Sequence, residues 1–232
     1  MKFSRASQRR LESGFTIIEC LVAIVVVSIL MTAIAPVIVL SVGNRVQARR
    51  VELATQAARE YVNGLVSGVI EPPLHTVTLN EVDDRKNFIA QRATFASAYP
   101  PAVVGGLSCP TNTGGNSYCT NTFTSSLYCV DFDRNGCSTE SIQDMVVQAF
   151  RSATPDLKDA DHKSYLLGVR VYRADAFSDN EPLLKSDLDT KRTQAAFTSG
   201  IGNLKAPLVE MTTEIVTNKA TFQDFCDRLG CQ

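Results

Sequence analysis

The chain has 232 residues, of which 44% are hydrophobic and 20% are charged, and its mean hydropathy is close to zero. This composition is typical of a folded domain and excludes a disordered or collagen-like chain. The formal net charge is −1, but residues 74–232 carry 15 basic and 19 acidic side chains. An acidic body of this kind argues against a general phosphate-binding surface, so no nucleic-acid partner is expected.

The N-terminus combines a basic segment with a long apolar run. Residues 1–14 contain four basic side chains and one acidic side chain, and residues 20–40 contain no charge at all. At ~1.5 Å per helical residue, these 21 residues span the ~30 Å hydrocarbon layer of a bilayer. The sequence therefore predicts a membrane-spanning helix.

Three interpretations of this helix compete. A cleaved signal peptide would use Ala33-Ile34-Ala35 as its small-residue site, but its apolar region would be too long and Pro36 follows directly. A plain single-pass anchor explains the length but leaves Glu19 without a purpose, unless its carboxylate snorkels to the headgroups. The third interpretation takes Glu19 together with the residues before it.

Residues 14–19, Gly-Phe-Thr-Ile-Ile-Glu, follow a basic segment and open the apolar run. This arrangement resembles the prepilin signature of type IV pilins and type II secretion pseudopilins. The resemblance implies that a prepilin peptidase cuts between Gly14 and Phe15 and that Phe15 is then N-methylated. Glu19 of one subunit would neutralise the Phe15 amine of its neighbour in a fibre, an interaction of ~4 kcal/mol at an effective dielectric of ~20, partly offset by desolvation.

Pro36 adds to the resemblance, because family members often carry a proline at this depth. A proline there removes the hydrogen bond to the carbonyl of Thr32. One interpretation is a simple kink. The other is a point at which the helix unwinds locally when the subunit leaves the bilayer for a fibre, and we hold it as a hypothesis.

Beyond the membrane the helix is expected to continue to about Val66. Apolar residues recur at spacings of four and seven, which predicts one buried stripe: Val42, Val46, Leu53, Ala57, Tyr61 and Leu65. Gly64, Gly68 and Pro72-Pro73 act as stop signals. The expected organisation is a leader (1–14), a transmembrane and filament-core helix (15–40), an amphipathic continuation (41–70) and a globular head (71–232).

The head contains six of the seven cysteines, and an even number suits disulfides in an oxidising compartment. Spacing alone permits fifteen connectivities. We expect neighbouring cysteines to pair: Cys109 with Cys119, Cys129 with Cys137, and Cys226 with Cys231. Cys20, in the apolar helix, is interpreted as a small packing residue.

Alternating hydrophobicity in the head predicts strands at 127–132, 165–173 and 208–216. Helices are predicted at 141–151, after a Ser/Thr cap region, and at 219–229. Residues 105–126 are rich in Gly, Ser, Thr and Asn and predict a surface loop held by cysteines. The expected fold class is α+β, with the long N-terminal helix packed on a small antiparallel sheet.

Asp131-Phe132-Asp133-Arg134-Asn135-Gly136 reads D-x-D-x-N-G, the first half of a calcium loop. Asp131, Asp133 and Asn135 are therefore candidate calcium ligands. The template would place Ile142 where a bidentate Glu belongs, although Glu140 or Asp144 could substitute in another geometry. The alternative, which we favour, is a polar turn in which these side chains cap their own backbone, so that no cofactor is needed.

Catalytic motifs have no support, because His75 and His162 are isolated and no nucleophile elbow, zinc-protease helix or Walker loop occurs. No enzyme is expected.

Residues 45–64, together with the DFDRNGC segment, are similar to cyanobacterial pseudopilins of hormogonium polysaccharide secretion.

The resemblance therefore implies a minor fibre subunit that supports polysaccharide secretion or motility. It would lie in the inner membrane with its head in the periplasm, and then in a fibre. Its partners would be the peptidase, other pilins or pseudopilins, and the inner-membrane assembly platform. The alternatives are a minor type IV pilin for adhesion or DNA uptake, and a membrane-anchored periplasmic enzyme.

Overall fold

The computed structural model describes residues 14–78, 95, 98–101, 107–109, 116–120, 126–153, 164–179, 181–186, 193, 203–216 and 222. In chain order the elements are helix α1 (Ile17–Ser67), strands β1 (Thr76–Thr78), β2 (Ser117–Tyr118), β3 (Leu127–Val130), β4 (Met145–Ala153) and β5 (Ser164–Arg173), a 3-10 helix (Ala174–Phe177) and strand β6 (Val209–Val216). The chain divides into two compact units, residues 1–43 and 44–232. The predicted α+β class, a long helix with an antiparallel sheet, is confirmed.

The first unit contains the apolar part of α1. Every described residue of it, 14–43, is exposed, and an 18-residue window reaches a mean hydropathy of 2.8. By length and composition, α1 is a candidate for crossing a membrane. Two hydroxyls in this stretch bond back to the helix, since Ser28 Oγ donates to the carbonyl of Ile24 at 2.7 Å and Thr32 Oγ1 to that of Ser28 at 2.5 Å. Their polarity is thereby satisfied within the helix itself.

In the second unit, α1 ends at two glycines. Gly68 takes a left-handed φ of 73°, and the amides of Val69 and Ile70 both donate to the carbonyl of Gly64. This is the usual way to close a helix on a glycine. Gly64 also lies so close to Ile70 that a Cβ there would be 2.4 Å from its Cδ1. The two glycines among the predicted stop signals therefore act where the helix ends.

The sheet has the strand order β2-β3-β4-β5-β6, and all these neighbours are antiparallel. β1 pairs in parallel with the far end of β4, where Thr76 lies opposite Arg151. β4 and β5 are the central strands, with Val147 opposite Val171 and, on the next pair, Val169 opposite Met211. The strands predicted at 127–132, 165–173 and 208–216 are present as β3, β5 and β6.

One face of the sheet packs on the C-terminal half of α1. The buried apolar residues of the helix there are mostly small: Ala54, Ala57, Ala58, Tyr61 and Leu65. Small side chains let the helix lie close to the strands, and Tyr61 fills the remaining space between them. The predicted stripe is thus buried at its end and not at its start, since Val42 and Val46 are exposed.

The opposite face of the sheet contains a buried polar cluster. Arg170 is 2% exposed and forms an ion pair with Glu210 at 3.2 Å. Its Nη1 also donates to the carbonyl of Ala98 at 2.7 Å and to Gln148 Oε1 at 3.2 Å. The guanidinium lies 5.1 Å from the ring centroid of Phe150. These contacts attach the segment around residue 98 to the sheet.

The helix predicted at 141–151 is wrong, because residues 145–153 form β4. The cap signal itself was real, since Ser141 Oγ accepts hydrogen bonds from the amides of Gln143 and Asp144. Those amides belong to a turn, however, and the chain then enters the middle of the sheet between β3 and β5. The helix predicted at 219–229 and most of the loop predicted at 105–126 lie outside the described residues, and β2 falls within that loop.

Candidate functional site

The residues of the predicted cleavage site lie just before α1. Gly14, Phe15 and Thr16 are not helical, and Thr16 Oγ1 accepts a hydrogen bond from the amide of Glu19 at 3.3 Å. Thr16 is therefore the N-cap, and Thr16-x-x-Glu19 has the sequence of a capping box. The T-x-x-E spacing was visible in the sequence, but Thr16 was not singled out there.

Within the described part of the chain, Gly14 has no structural reason to be a glycine. A Cβ built on it would have no atom of the described residues within 4 Å, and its φ is not in the left-handed region. Glycine is required inside a fold where space or a positive φ demands it. Neither demand exists here, so a requirement for glycine at this position would come from outside the chain.

Glu19 lies in the first turn of α1, where a carboxylate is favoured by the helix dipole. Glu19 is exposed, and its carboxylate forms no ion pair with any other residue that the structure describes. Phe15 is 80% exposed. The N-terminal end of α1 thus presents an aromatic residue and an acidic residue to whatever surrounds it.

Pro36 lies inside α1. It has no amide hydrogen, so the carbonyl of Thr32 lacks its usual helical donor. In a bilayer or a packed bundle, such a carbonyl is satisfied by neighbouring groups. The structure places Pro36 in the exposed apolar stretch, where such neighbours would come from other molecules.

The described part of the head contains two disulfides. Cys109 is joined to Cys119, and Cys129 to Cys137, the same neighbouring pairs as expected from the sequence. Cys226 and Cys231 lie outside the described residues, so their pairing stays a prediction. Cys20 is a free, exposed thiol in α1.

The candidate calcium loop brings three carboxylates together. The side chain of Asp144 lies beside those of Asp131 and Asp133, and each of the three places a carboxylate oxygen within 4.8 Å of the others. Asn135 is exposed, and its backbone amide donates to Asp133 Oδ1 at 3.2 Å. Gly136 takes a left-handed φ of 96°, which turns the chain. Carboxylate oxygens in this arrangement suit a hard cation.

All six oxygens of these carboxylates already accept hydrogen bonds. The donors are the amides of Arg134 (2.6 Å) and Gly136 (2.9 Å) to Asp131, the amide of Asn135 and the hydroxyl of Ser141 (2.8 Å) to Asp133, and the amides of Phe132 (3.3 Å) and Ser138 (3.1 Å) to Asp144. None of these three carboxylates therefore has an oxygen without a hydrogen-bond donor. Since β4 follows it instead of a helix, and Ile142 is exposed, the loop is not an EF-hand.

The pKa values of Asp133 and Asp144 are shifted in opposite directions. Burial raises the pKa of Asp144, and the hydrogen bond from the amide of Ser138 only partly opposes it. Burial also acts to raise the pKa of Asp133, but the hydrogen bonds from Ser141 and Asn135 outweigh it and hold the pKa below its ordinary value. Asp133 therefore stays ionised to a lower pH than Asp144 does.

His75 is packed as a structural residue. Its ring packs at a tilted angle against Phe150 with a centroid distance of 5.9 Å, and its backbone amide donates to Ser126 Oγ at 2.8 Å. Burial, with the nearby charge of Arg170, lowers the pKa of the imidazole. The ring is neutral at pH 7 as a result. The hydroxyl of Ser126 accepts the hydrogen bond from the backbone amide of His75 and not one from its ring. His162 lies outside the described residues.

The comparison with protein families found one match, the prokaryotic N-terminal methylation motif, at residues 9–35. No curated protein and no solved structure showed a significant match. Proteins with this motif are structural subunits and not enzymes. The matched range contains Gly14, Phe15 and Glu19 and enters the exposed apolar stretch of α1. The chain thus carries a type IV prepilin-like methylation motif, which supports a membrane-anchored, pilin-like or pseudopilin-like protein.

Proposed function

We propose that this protein is a minor pilin-like or pseudopilin subunit of a type IV pilus-like or type II secretion-like fibre. A prepilin peptidase removes residues 1–14, Phe15 is N-methylated, and the mature subunit assembles through α1 with other pilins or pseudopilins on an inner-membrane platform. The observation that carries the proposal is the exposure of residues 14–43 over their whole length. An apolar helix whose described residues are all exposed needs a bilayer or other helices around it.

The methylation motif and two features of the cleavage region support the processing step. Gly14 lies outside the helix and is exposed, so that a peptidase can reach it, and no contact with the described residues demands a glycine there. Glu19 lies in the first turn of α1 and has no ion-pair partner among the described residues. A new α-amine on Phe15 of an adjacent subunit would supply that partner.

The role of the fibre is proposed from the charge of the head and from the sequence of residues 45–64 in α1. Its acidic charge disfavours DNA uptake, and the similarity of residues 45–64 to pseudopilins of hormogonium polysaccharide secretion favours secretion or motility. A minor pilin for adhesion is the second candidate. A membrane-anchored periplasmic enzyme is the third, and the half-buried His75, whose pKa is lowered, gives it no support.

The first test of the proposed function is the N-terminus of the membrane-extracted protein, with and without the prepilin peptidase. We expect intact-mass analysis to show a chain that starts at methylated Phe15 only when the peptidase is present. Gly14→Ala should lower the processed fraction without changing the head, because a Cβ there meets no other atom. A chain that begins at Met1 in both samples would refute the proposal.

The second test concerns assembly after cleavage. Glu19→Ala should be cut normally but should enter fibres at least ~10-fold less, since ~1.4 kcal/mol of lost pairing already corresponds to a factor of ten. Glu19→Gln is the control that keeps the shape and removes the charge. Pro36→Ala tests local unwinding, and unchanged assembly of that variant would leave only a kink.

A further inference from the structure

The two disulfides of the head are close neighbours. The sulfurs of Cys109, Cys129 and Cys137 all lie within 4.8 Å of one another, so one sulfur of the first pair faces both sulfurs of the second. Cys119, the remaining member, packs in the same apolar cluster as Cys129. No other described part of the chain brings sulfurs from two different pairs together.

The four cysteines differ in access. Cys129 and Cys119 are buried, at 1% and 7% exposure, whereas Cys109 and Cys137 are partly exposed. A thiolate from solvent can therefore reach the sulfur of Cys137 more easily than that of Cys129. Thiol–disulfide exchange requires that access and a second sulfur within reach of the thiolate that is released.

We propose that the two disulfides form an exchange relay that passes through Cys109. A low-molecular-weight thiolate attacks Cys137, forms a mixed disulfide with it and releases Cys129 as a thiolate. Cys129 then attacks Cys109, a Cys109–Cys129 bond forms, and Cys119 leaves as a thiolate and takes up a proton. Each step breaks one S–S bond and forms one, so the relay needs a thiol and no net oxidant or reductant.

The relay acts on the acidic loop. Cys129 and Cys137 bracket the segment that carries Asp131 and Asp133, and their disulfide ties the end of that segment back to β3. When Cys129 pairs with Cys109 instead, that tie is lost. The thiol content of the compartment would then control how firmly the loop is held, independently of fibre assembly through α1.

The test uses the full-length oxidised protein in detergent, incubated at pH 8 with sub-stoichiometric reduced glutathione and then quenched by alkylation. Peptide mapping by mass spectrometry should find Cys109 linked to Cys129, together with glutathione on Cys137. Finding only the two original pairs and their reduced forms would overturn the proposal. The unmodified protein is used, so this result does not depend on the folding of a variant.

Single variants test the role of Cys109. Cys119→Ser leaves Cys109 as a free thiol beside the second disulfide, and we expect pairs of Cys109 with Cys129 or Cys137. Cys109→Ser leaves Cys119 free, and we expect about tenfold fewer new pairs. Equal scrambling in the two variants would show that any free thiol suffices and would overturn the relay. Circular dichroism checks that both variants are folded. If Cys119→Ser is not folded, Cys137→Ser replaces it, and this variant should form a Cys109–Cys129 disulfide.

Discussion

At the scale of single residues, Gly168 is a position where the fold leaves no room for a side chain. It lies in β5 opposite Phe150 of β4, and a Cβ on it would be 2.2 Å from Phe150 Cε2. Phe150 is 2% exposed and its ring packs on Phe95 at a centroid distance of 4.9 Å, so it has little freedom to move away. The glycine is therefore required by packing and not by its backbone conformation.

We predict that Gly168→Ala lowers the free energy of unfolding by ~1–3 kcal/mol, the usual cost of overpacking. Urea unfolding followed by circular dichroism measures it. Gly168→Ala should cost less free energy of unfolding when it is added to Phe150→Leu than when it is made in the original chain, because leucine leaves more room at position 150. A double variant in which the two losses simply add would show that this contact is not the cause.

The acidic loop is the second case at this scale. Its hydrogen bonds occupy all six carboxylate oxygens of Asp131, Asp133 and Asp144, so we expect the polar turn to be stable without an ion. Calorimetric titration with calcium should show no binding in the millimolar range at neutral pH. Binding that disappears in Asp133→Asn would instead assign Asp133 as a calcium ligand, as the D-x-D-x-N-G motif allows.

At the scale of elements, a group of tyrosines joins α1 to the sheet. Tyr61 of α1 is fully buried, its hydroxyl lies 2.6 Å from that of Tyr118 in β2, and its ring is 5.2 Å from that of Tyr128 in β3. Tyr118 OH also bonds to the carbonyl of Glu71 at 2.8 Å. Burial raises the pKa of Tyr61 and Tyr118, and that of Tyr165 in β5 to about 12.

These shifts predict a loss of stability at alkaline pH. An unfolded tyrosine ionises near pH 10, whereas the folded chain keeps its protons to higher pH, so the unfolded state binds fewer protons in between. The contribution is complete below pH 10 and is lost as the pH rises towards about 12. Urea midpoints measured from pH 8 to 11.5 should fall above pH 10. Tyr165→Phe should make that fall less steep, and an identical slope would contradict the assignment.

The strands show how far periodicity reaches at this scale. The alternation of β5 predicts a strand, and a strand is present, but alternation also suggests one wet face, whereas Val169 and Arg170 are both buried. The second face is covered by segments distant in sequence, among them the one held by Arg170 at Ala98. For β4, the cap signal at Ser141 favoured a helix, and pairing with two neighbouring strands outweighed it.

At the scale of the whole molecule, the chain divides at residue 43 into a first unit whose described residues, 14–43, are exposed, and a packed second unit, which contains the C-terminal part of α1 and the head. All buried residues of α1, from Gln47 to Leu65, lie in the second unit. The head should therefore contain everything that its own folding needs. Its hydrophobic core includes the helix residues that cover the sheet.

We predict that a chain starting at Asn44 folds without the first unit and stays soluble without detergent. Its disulfides should match those of the full protein, and its thermal midpoint should differ by no more than a few degrees, measured by circular dichroism. A matched chain starting at Thr55 removes part of the buried helix and should not fold cooperatively. Aggregation of the longer fragment would show that the first unit contributes to the stability of the head.

The sequence alone determined the features that depend on local pattern. A basic segment, Gly14-Phe15 and an uncharged run specify the methylation motif and a helix long enough for a bilayer, because length and hydropathy need no tertiary contact. Tertiary structure decided what depends on distant partners. It placed Asp144 beside Asp131, made residues 145–153 a central strand, buried Arg170 and brought Cys109 to the second disulfide, since each of these depends on contacts between segments far apart in the chain.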